Sequence, residues 1–149
     1  MNDLMDLYQE LILDHNRQPR NRGALEGHDH DAEGYNPLCG DRVHVYVILK
    51  DDVIEDIRFD GNGCAISTAS ASLMSEAVKG RTIDEAKAIF EKFLALVTHP
   101  DDAHDTSALG KLEAFGGVGR FPARVKCATL AWHTLVAAVD ERGESVTTE

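Results

Sequence analysis

Apolar residues follow two rhythms along the chain. Leu4, Leu7, Tyr8, Leu11 and Ile12 recur at three- and four-residue steps, with Asn2 or Asp3 available as a cap and Pro19 beyond, which predicts a short amphipathic helix. Residues 17–40 lose periodicity, collect Arg, Asn, Gly, His and Asp, and read as a loop ending in Asn36-Pro37-Leu38-Cys39-Gly40-Asp41. Alternation then takes over. Val43, Val45, Val47 and Leu49 alternate with His44, Tyr46, Ile48 and Lys50, and the pattern returns at Ile57 and Phe59 beyond Lys50-Asp51-Asp52, predicting an antiparallel hairpin.

Gly61-Asn62-Gly63 breaks the second strand, and a serine- and alanine-rich helix is predicted from Ser67 to Lys79, with Gly80 at its C-terminus. Thr82-Ile83-Asp84-Glu85 forms a capping box, after which Ala86, Ile89, Phe90, Phe93, Leu94 and Val97 keep helical spacing. Residues 98–108 are a polar connection, and Leu109, Leu112 and Phe115 suggest a short helix before Gly116-Gly117. From Pro122 helical spacing resumes at Val125, Ala128, Trp132, Leu135, Val136 and Val139, while 140–149 read as a frayed polar tail. Together these elements predict a single domain over 1–149 with an α+β fold, in which helices cover one face of a small, mainly antiparallel three-stranded sheet.

Composition narrows the function. With 26 acidic against 15 basic side chains in 149 residues, the net charge of −11 repels phosphate backbones and anionic lipid, so neither nucleic acid nor membrane is an expected partner. Apolar runs stop at five residues, Val45–Leu49 and Phe93–Val97, far short of the roughly 20 a span needs. An acidic N-terminus does not resemble a secretory signal, so a reducing cytoplasm is expected. There Cys39, Cys64 and Cys127 are metal ligands, nucleophiles or core filler rather than disulfides.

Each cysteine stands at an element boundary: Cys39 in a Pro/Gly loop, Cys64 between turn glycines and a helix, and Cys127 in the first turns of the last helix. Both helix-borne positions favour the thiolate, and Arg124 and Lys126 add positive charge beside Cys127. Three thiolates call for a fourth ligand to close a tetrahedral Zn²⁺ site. Asp41, two residues after Cys39, is the nearest carboxylate, although a local turn cap explains it as well. The histidines His15, His28, His30, His44, His99, His104 and His133 compete for that place. His28-Asp29-His30-Asp31 is the most ligand-like cluster, and His133 falls on a different helical face from Cys127. The Ser67–Ser75 hydroxyls read as close packing, and Arg17, Arg20 and Arg22 as a solvated basic cluster or a dock for an acidic partner.

Three segments, Asn36-Pro37-Leu38-Cys39-Gly40-Asp41, Gly61-Asn62-Gly63-Cys64-Ala65-Ile66-Ser67-Thr68-Ala69-Ser70 and Phe121-Pro122-Ala123-Arg124-Val125-Lys126-Cys127-Ala128-Thr129-Leu130-Ala131-Trp132, follow a first helix that ends in His15-Asn16-Arg17-Gln18-Pro19. In that order they resemble the IscU/SufU (NifU-like) family of iron–sulfur cluster assembly proteins over nearly the whole chain. The chain is similar to the SufU branch. The segment between Cys64 and Cys127 is long, at 62 residues, and Lys126 stands where scaffold members place a histidine. Phe121-Pro122-Ala123-Arg124-Val125-Lys126 also replaces their Leu-Pro-Pro-Val-Lys type of chaperone motif.

The resemblance implies a zinc-dependent sulfurtransferase with Cys39, Asp41, Cys64 and Cys127 as metal ligands, placed at an exposed end of the fold. Cys39 would accept persulfide sulfur from a pyridoxal-phosphate cysteine desulfurase for delivery to a SUF-type scaffold complex. Asp41 would help keep Cys39 ionised, and Arg124 would steady negative charge or dock the partner. Two other readings use the same residues: a scaffold that itself builds a [2Fe–2S] cluster, and a zinc-stabilised interaction module without sulfur chemistry.

Overall fold

The computed structural model describes residues 3–37, 40–99, 102–104, 106–140 and 146–147. Cys39 lies outside the described residues. Helix α1 (Asp3–Arg17) leads through an extended stretch to strands β1 (His30–Asn36), β2 (Asp41–Lys50) and β3 (Val53–Asn62). Helices α2 (Ala65–Val78) and α3 (Ile83–Thr98), a 3₁₀ segment (Gly110–Arg120), helix α4 (Pro122–Val139) and a two-residue strand β4 (Val146–Thr147) follow. No helix among the described residues is long and apolar enough to cross a membrane.

The sheet runs in the order β3-β2-β1-β4, antiparallel except for β4, which lies parallel to β1 with Gly34 opposite Val146. The α+β architecture with a mainly antiparallel sheet is as expected. Two details differ: the sheet has a fourth short strand drawn from the expected tail, and β1 occupies part of the stretch read as loop. β1 pairs with β2 along its whole length, Ala32 opposite Val45 and Asn36 opposite Asp41, yet its inward residues are Ala32, Gly34 and Asn36. These small or polar side chains give no apolar alternation for a sequence pattern to register.

One sheet face, built from Val43, Val45, Val47, Ile54, Ile57 and Phe59, packs under α2 and α4. Helix α4 is buried on nearly every side, which is why its pattern has no narrow apolar stripe. Trp132 lies fully buried between the rings of Phe90 and Phe93, at centroid distances of 5.7 and 5.3 Å. Edge-on contacts continue from Phe93 to Phe115 and on to Tyr8 of α1.

Gly34 sits where β1 crosses α4, and a Cβ at this position would overlap Thr134 Oγ1. Gly34→Ala is expected to destabilise the fold by about 1–3 kcal/mol through overpacking, read as a lower urea midpoint with an unchanged slope. An unchanged midpoint would mean that the β1–α4 crossing is looser than described.

The serines of α2 pack closely, as expected, and they also satisfy buried polar groups. Ser70 Oγ donates to the Ala128 carbonyl at 2.5 Å, and Ser72 Oγ accepts from Arg20 N–H at 2.9 Å while lying 2.6 Å from His15 Nδ1. Glu76 stands 3.8 Å from His15 Nε2, so serine, histidine and acid form a row. Ser72 and His15 are fully buried with no substrate access, and the row is therefore a strut between α1 and α2.

Burial holds the His15 pKa below its ordinary value, with Arg20 adding to the effect and Glu76 and Asp14 opposing it. The folded chain thus keeps this imidazole neutral, whereas the unfolded chain protonates near 6.5. Its contribution to stability is complete above that pH and is lost as the pH falls below it. The urea midpoint of the wild type should therefore drop more between pH 7.5 and pH 5.5 than that of His15→Gln, and equal drops would contradict the buried neutral ring.

Candidate metal centre

Three distant segments meet at one end of α2. Asp41, the first residue of β2, is buried, and its Oδ1 accepts the Cys64 backbone N–H at 2.9 Å. The carboxylate therefore caps a neighbour 23 positions away. Gly61 makes this approach feasible: its φ of +136° suits glycine, and a Cβ there would overlap the Arg42 carbonyl. Arg22 braces the same loop by donating to the Gly61 carbonyl at 2.8 Å.

Cys64 is the N-cap of α2, where its Sγ accepts the Ser67 N–H at 3.4 Å. Its thiol is partly exposed and lies 3.7 Å from Asp41 Oδ2. A hydrogen bond with the Cys127 thiol, helped by the N–H groups of Ser67 and Ile66, brings the Cys64 pKa down to about 6 against the opposing effects of burial and Asp41. Cys64 is consequently mostly thiolate at neutral pH, as its helix-start position predicts.

Cys127 is 3% exposed, in the second turn of α4. Its Sγ faces the Ala123 carbonyl at 3.6 Å and receives an N–H from the Asn36 side chain at 3.8 Å. The expectation for this residue needs adjusting, because it lies beyond the unpaired N–H groups of the helix end and its sulfur is held by side-chain and carbonyl contacts instead.

Asp41, Cys64 and Cys127 offer ligand atoms that all lie within 4.8 Å of one another, the arrangement a small divalent ion requires. Among the described residues this is the one His/Cys/Asp/Glu group that meets that test. Cys39, two residues before Asp41 in sequence, is outside the described residues, so its place relative to this group is not described.

No histidine joins the group. His44 Nε2 contacts Asp31 at 2.5 Å and its ring stacks on Tyr46, while His28 lies 3.7 Å from the other Asp31 oxygen; these residues belong to the sheet face away from the helices. His104 meets the His99 carbonyl, and His133 packs edge-on against Phe90. Of the basic cluster, Arg20 pairs with Asp14 at 2.8 Å and Arg22 lies 3.7 Å from Asp60.

Cys64 and Cys127 also line a groove of about 810 Å³ between α1 and the start of α4. Its walls are largely apolar, and Leu13 and Phe121, the large hydrophobic residues most exposed among those described, stand along it at 55% and 46% exposure. Arg124 is exposed on the same wall, its guanidinium 4.8 Å above the Phe121 ring. Tyr8 lines the groove too, with a buried hydroxyl that finds no hydrogen-bond partner among the described residues; burial raises its pKa and keeps it a phenol. Neither Tyr8 nor Asn36 stood out as a site residue in the sequence. Tyr8 reads there as an ordinary member of an apolar stripe, and Asn36 as a turn former.

Comparison with known proteins places this geometry in a family. The pattern of the NifU-like N terminal domain matches residues 7–141. The zinc-dependent sulfurtransferase SufU of Bacillus subtilis (strain 168) is 42% identical over 137 residues, 92% of each chain. The iron–sulfur cluster assembly scaffold protein IscU of Streptococcus pyogenes serotype M1 is 40% identical over 93% of this chain and 86% of its own. Among solved structures, a putative iron–sulfur cluster assembly scaffold protein for the SUF system from Fervidobacterium islandicum AW-1 superimposes with a TM-score of 0.83 at 35% identity, covering 90% of this chain and 97% of the other. The chain belongs to the NifU-like N-terminal domain family, the iron–sulfur cluster assembly family of IscU and SufU.

Proposed function

We propose that the chain is a zinc-dependent sulfur carrier of iron–sulfur cluster assembly. It takes sulfur on Cys39 from the persulfide of a pyridoxal-phosphate cysteine desulfurase and passes it to a SUF-type scaffold complex in the cytoplasm. The observation that carries this reading is the meeting of Asp41, Cys64 and Cys127 beside an open groove. Two sulfurs and a carboxylate suit Zn²⁺, and Cys39 would supply the fourth donor. Bound there, zinc would keep the thiolates ionised and offset their charge.

The residues of the chain divide the remaining work. Cys64 is locked into the α2 cap and Cys127 into the packed α4, so movement of either sulfur would disturb the core. Cys39, set in the sequence Pro37-Leu38-Cys39-Gly40, is on this reading the sulfur whose movement would cost the fold least. Its thiolate attacks the outer sulfur of the donor persulfide. A sulfur–sulfur bond forms at Cys39, the donor's own sulfur–sulfur bond breaks, and the donor cysteine leaves as a thiolate, with no net oxidation. Asp41 supports ionisation at Cys39, and Arg124 on the groove wall steadies the negative charge that shifts between the sulfurs.

Incubation with the desulfurase and cysteine, followed by peptide mass mapping, tests this directly. One added sulfur on the Cys39 peptide is expected. Sulfur found only on Cys64 or Cys127, or nowhere, would overturn the assignment. The scaffold reading draws its support from the relatives that carry that name.

A further inference from the structure

Asn36 ends β1 opposite Asp41 and is fully buried. Its carbonyl accepts the Gly40 N–H at 2.8 Å, while its side-chain Nδ2 reaches Cys127 Sγ, 91 positions away, at 3.8 Å. An amide N–H can only donate, so this contact has a single polarity, amide donor to sulfur.

We propose that Asn36 is a positioning residue of the metal centre, whose N–H···S bond orients the Cys127 sulfur towards Asp41 and Cys64 and draws electron density from it. Cys127 thereby remains a ligand while sulfur chemistry is directed to another cysteine. The inference rests on the zinc reading given above.

The two described sulfurs obtain donors in different ways. Cys64 takes the Ser67 N–H at its helix cap, a donor that any N-cap residue commands. Cys127 sits one turn deeper, where helical N–H groups are committed to carbonyls four residues back, and its sulfur faces both the Ala123 carbonyl and the acidic Asp41 neighbourhood. Once a metal ionises Cys127, a buried sulfur anion among oxygens is costly unless a donor reaches it, and Asn36, opposite Asp41, ends β1, the strand that packs on α4. The same residue also holds the Gly40 N–H through its carbonyl, so the end of β1 and the Cys127 donor are set together. Outer donors of this kind orient metal ligands and tune them, and their loss typically lowers metal affinity about 10–100-fold.

The test uses full-length protein loaded with Co²⁺ as a visible probe, together with chelator competition for Zn²⁺, in the wild type, Asn36→Ala and Asn36→Asp. The aspartate keeps the size of the side chain and replaces the donor with an acceptor, so it remains informative if the alanine variant folds poorly. Both variants are expected to bind Zn²⁺ about 10–100-fold more weakly. Their sulfur-to-cobalt charge-transfer band should move to longer wavelength, because a sulfur released from its hydrogen bond gives up an electron more easily. Unchanged affinity and band position would overturn the proposal. Weaker binding with an unmoved band would also overturn it, leaving Asn36 a purely structural role. A wild type that binds neither ion would instead sink the zinc reading itself, before any variant is compared.

Discussion

Cys39→Ala is expected to abolish sulfur capture and the stimulation of desulfurase turnover by this protein, while Asp41, Cys64 and Cys127 keep the fold's metal end assembled. A wild-type-like rate from the variant would assign sulfur acceptance elsewhere. The prediction discriminates because the sulfurs are not equivalent in their mechanical setting. Cys64 is tied to Asp41 through its backbone N–H at 2.9 Å and caps α2, and Cys127 lies at 3% exposure within α4. Either of these two replaced by alanine should lower stability as well as activity, since a cap costs about 0.5–2 kcal/mol and a buried thiol leaves a small cavity. Complete loss of activity with the smallest fall in the melt should mark Cys39, which gives up one zinc donor but no cap and no buried packing. A Cys39→Ala variant that loses stability yet still stimulates the desulfurase would indicate a zinc-stabilised module rather than a sulfur carrier.

Metal removal should produce the largest stability change. An ion bound only by the folded chain stabilises it by about 4 kcal/mol when its free concentration is a thousandfold above the dissociation constant. For a chain of this size each kcal/mol moves the melting temperature by roughly 2–4 °C, so chelation should lower it by about 10 °C. The structure gives a second reason for the same sign. Asp41 pushes the Cys64 pKa up while hydrogen bonds from Cys127 and the cap pull it down, so without a cation the carboxylate and thiolate charges oppose one another within 4.8 Å. Restoring Zn²⁺ should restore the melt. A scan that chelator leaves in place would show that the cluster contributes nothing to folding.

Much of this was legible in the chain, and the exceptions have physical causes. The capping box at Thr82 and Glu85 is present as read, with both hydrogen bonds formed, because a local four-residue pattern needs no tertiary context. Cys64 at a helix start follows from the Gly61-Asn62-Gly63 break and the small residues after it. β1 escaped notice because its inward positions hold Ala32, Gly34 and Asn36, chosen for close contact with α4 rather than for hydrophobicity. The same cause hid the role of Asn36: its sulfur contact exists only once β1 is paired and α4 is laid across it. Asp41 could be tied to Cys39 by spacing, whereas its hydrogen bond to the Cys64 backbone comes from strand register and a loop glycine far along the chain. The histidine cluster at residues 28–31 shows the converse. Its spacing looks ligand-like, yet the sheet turns Asp31 towards His44 and Tyr46 lies alongside, making an aromatic and ion-pair patch apart from the cysteines.

The central claim, that sulfurs from separate elements and the Asp41 carboxylate hold a single zinc ion, is tested most directly by elemental analysis of anaerobically purified protein, wild type beside Cys64→Ser, Cys127→Ser and Asp41→Ala. The account predicts a colourless wild type with one zinc per chain and a marked loss of zinc in each variant. A brown wild type carrying iron and sulfide, or zinc retained in full by all three variants, would contradict it.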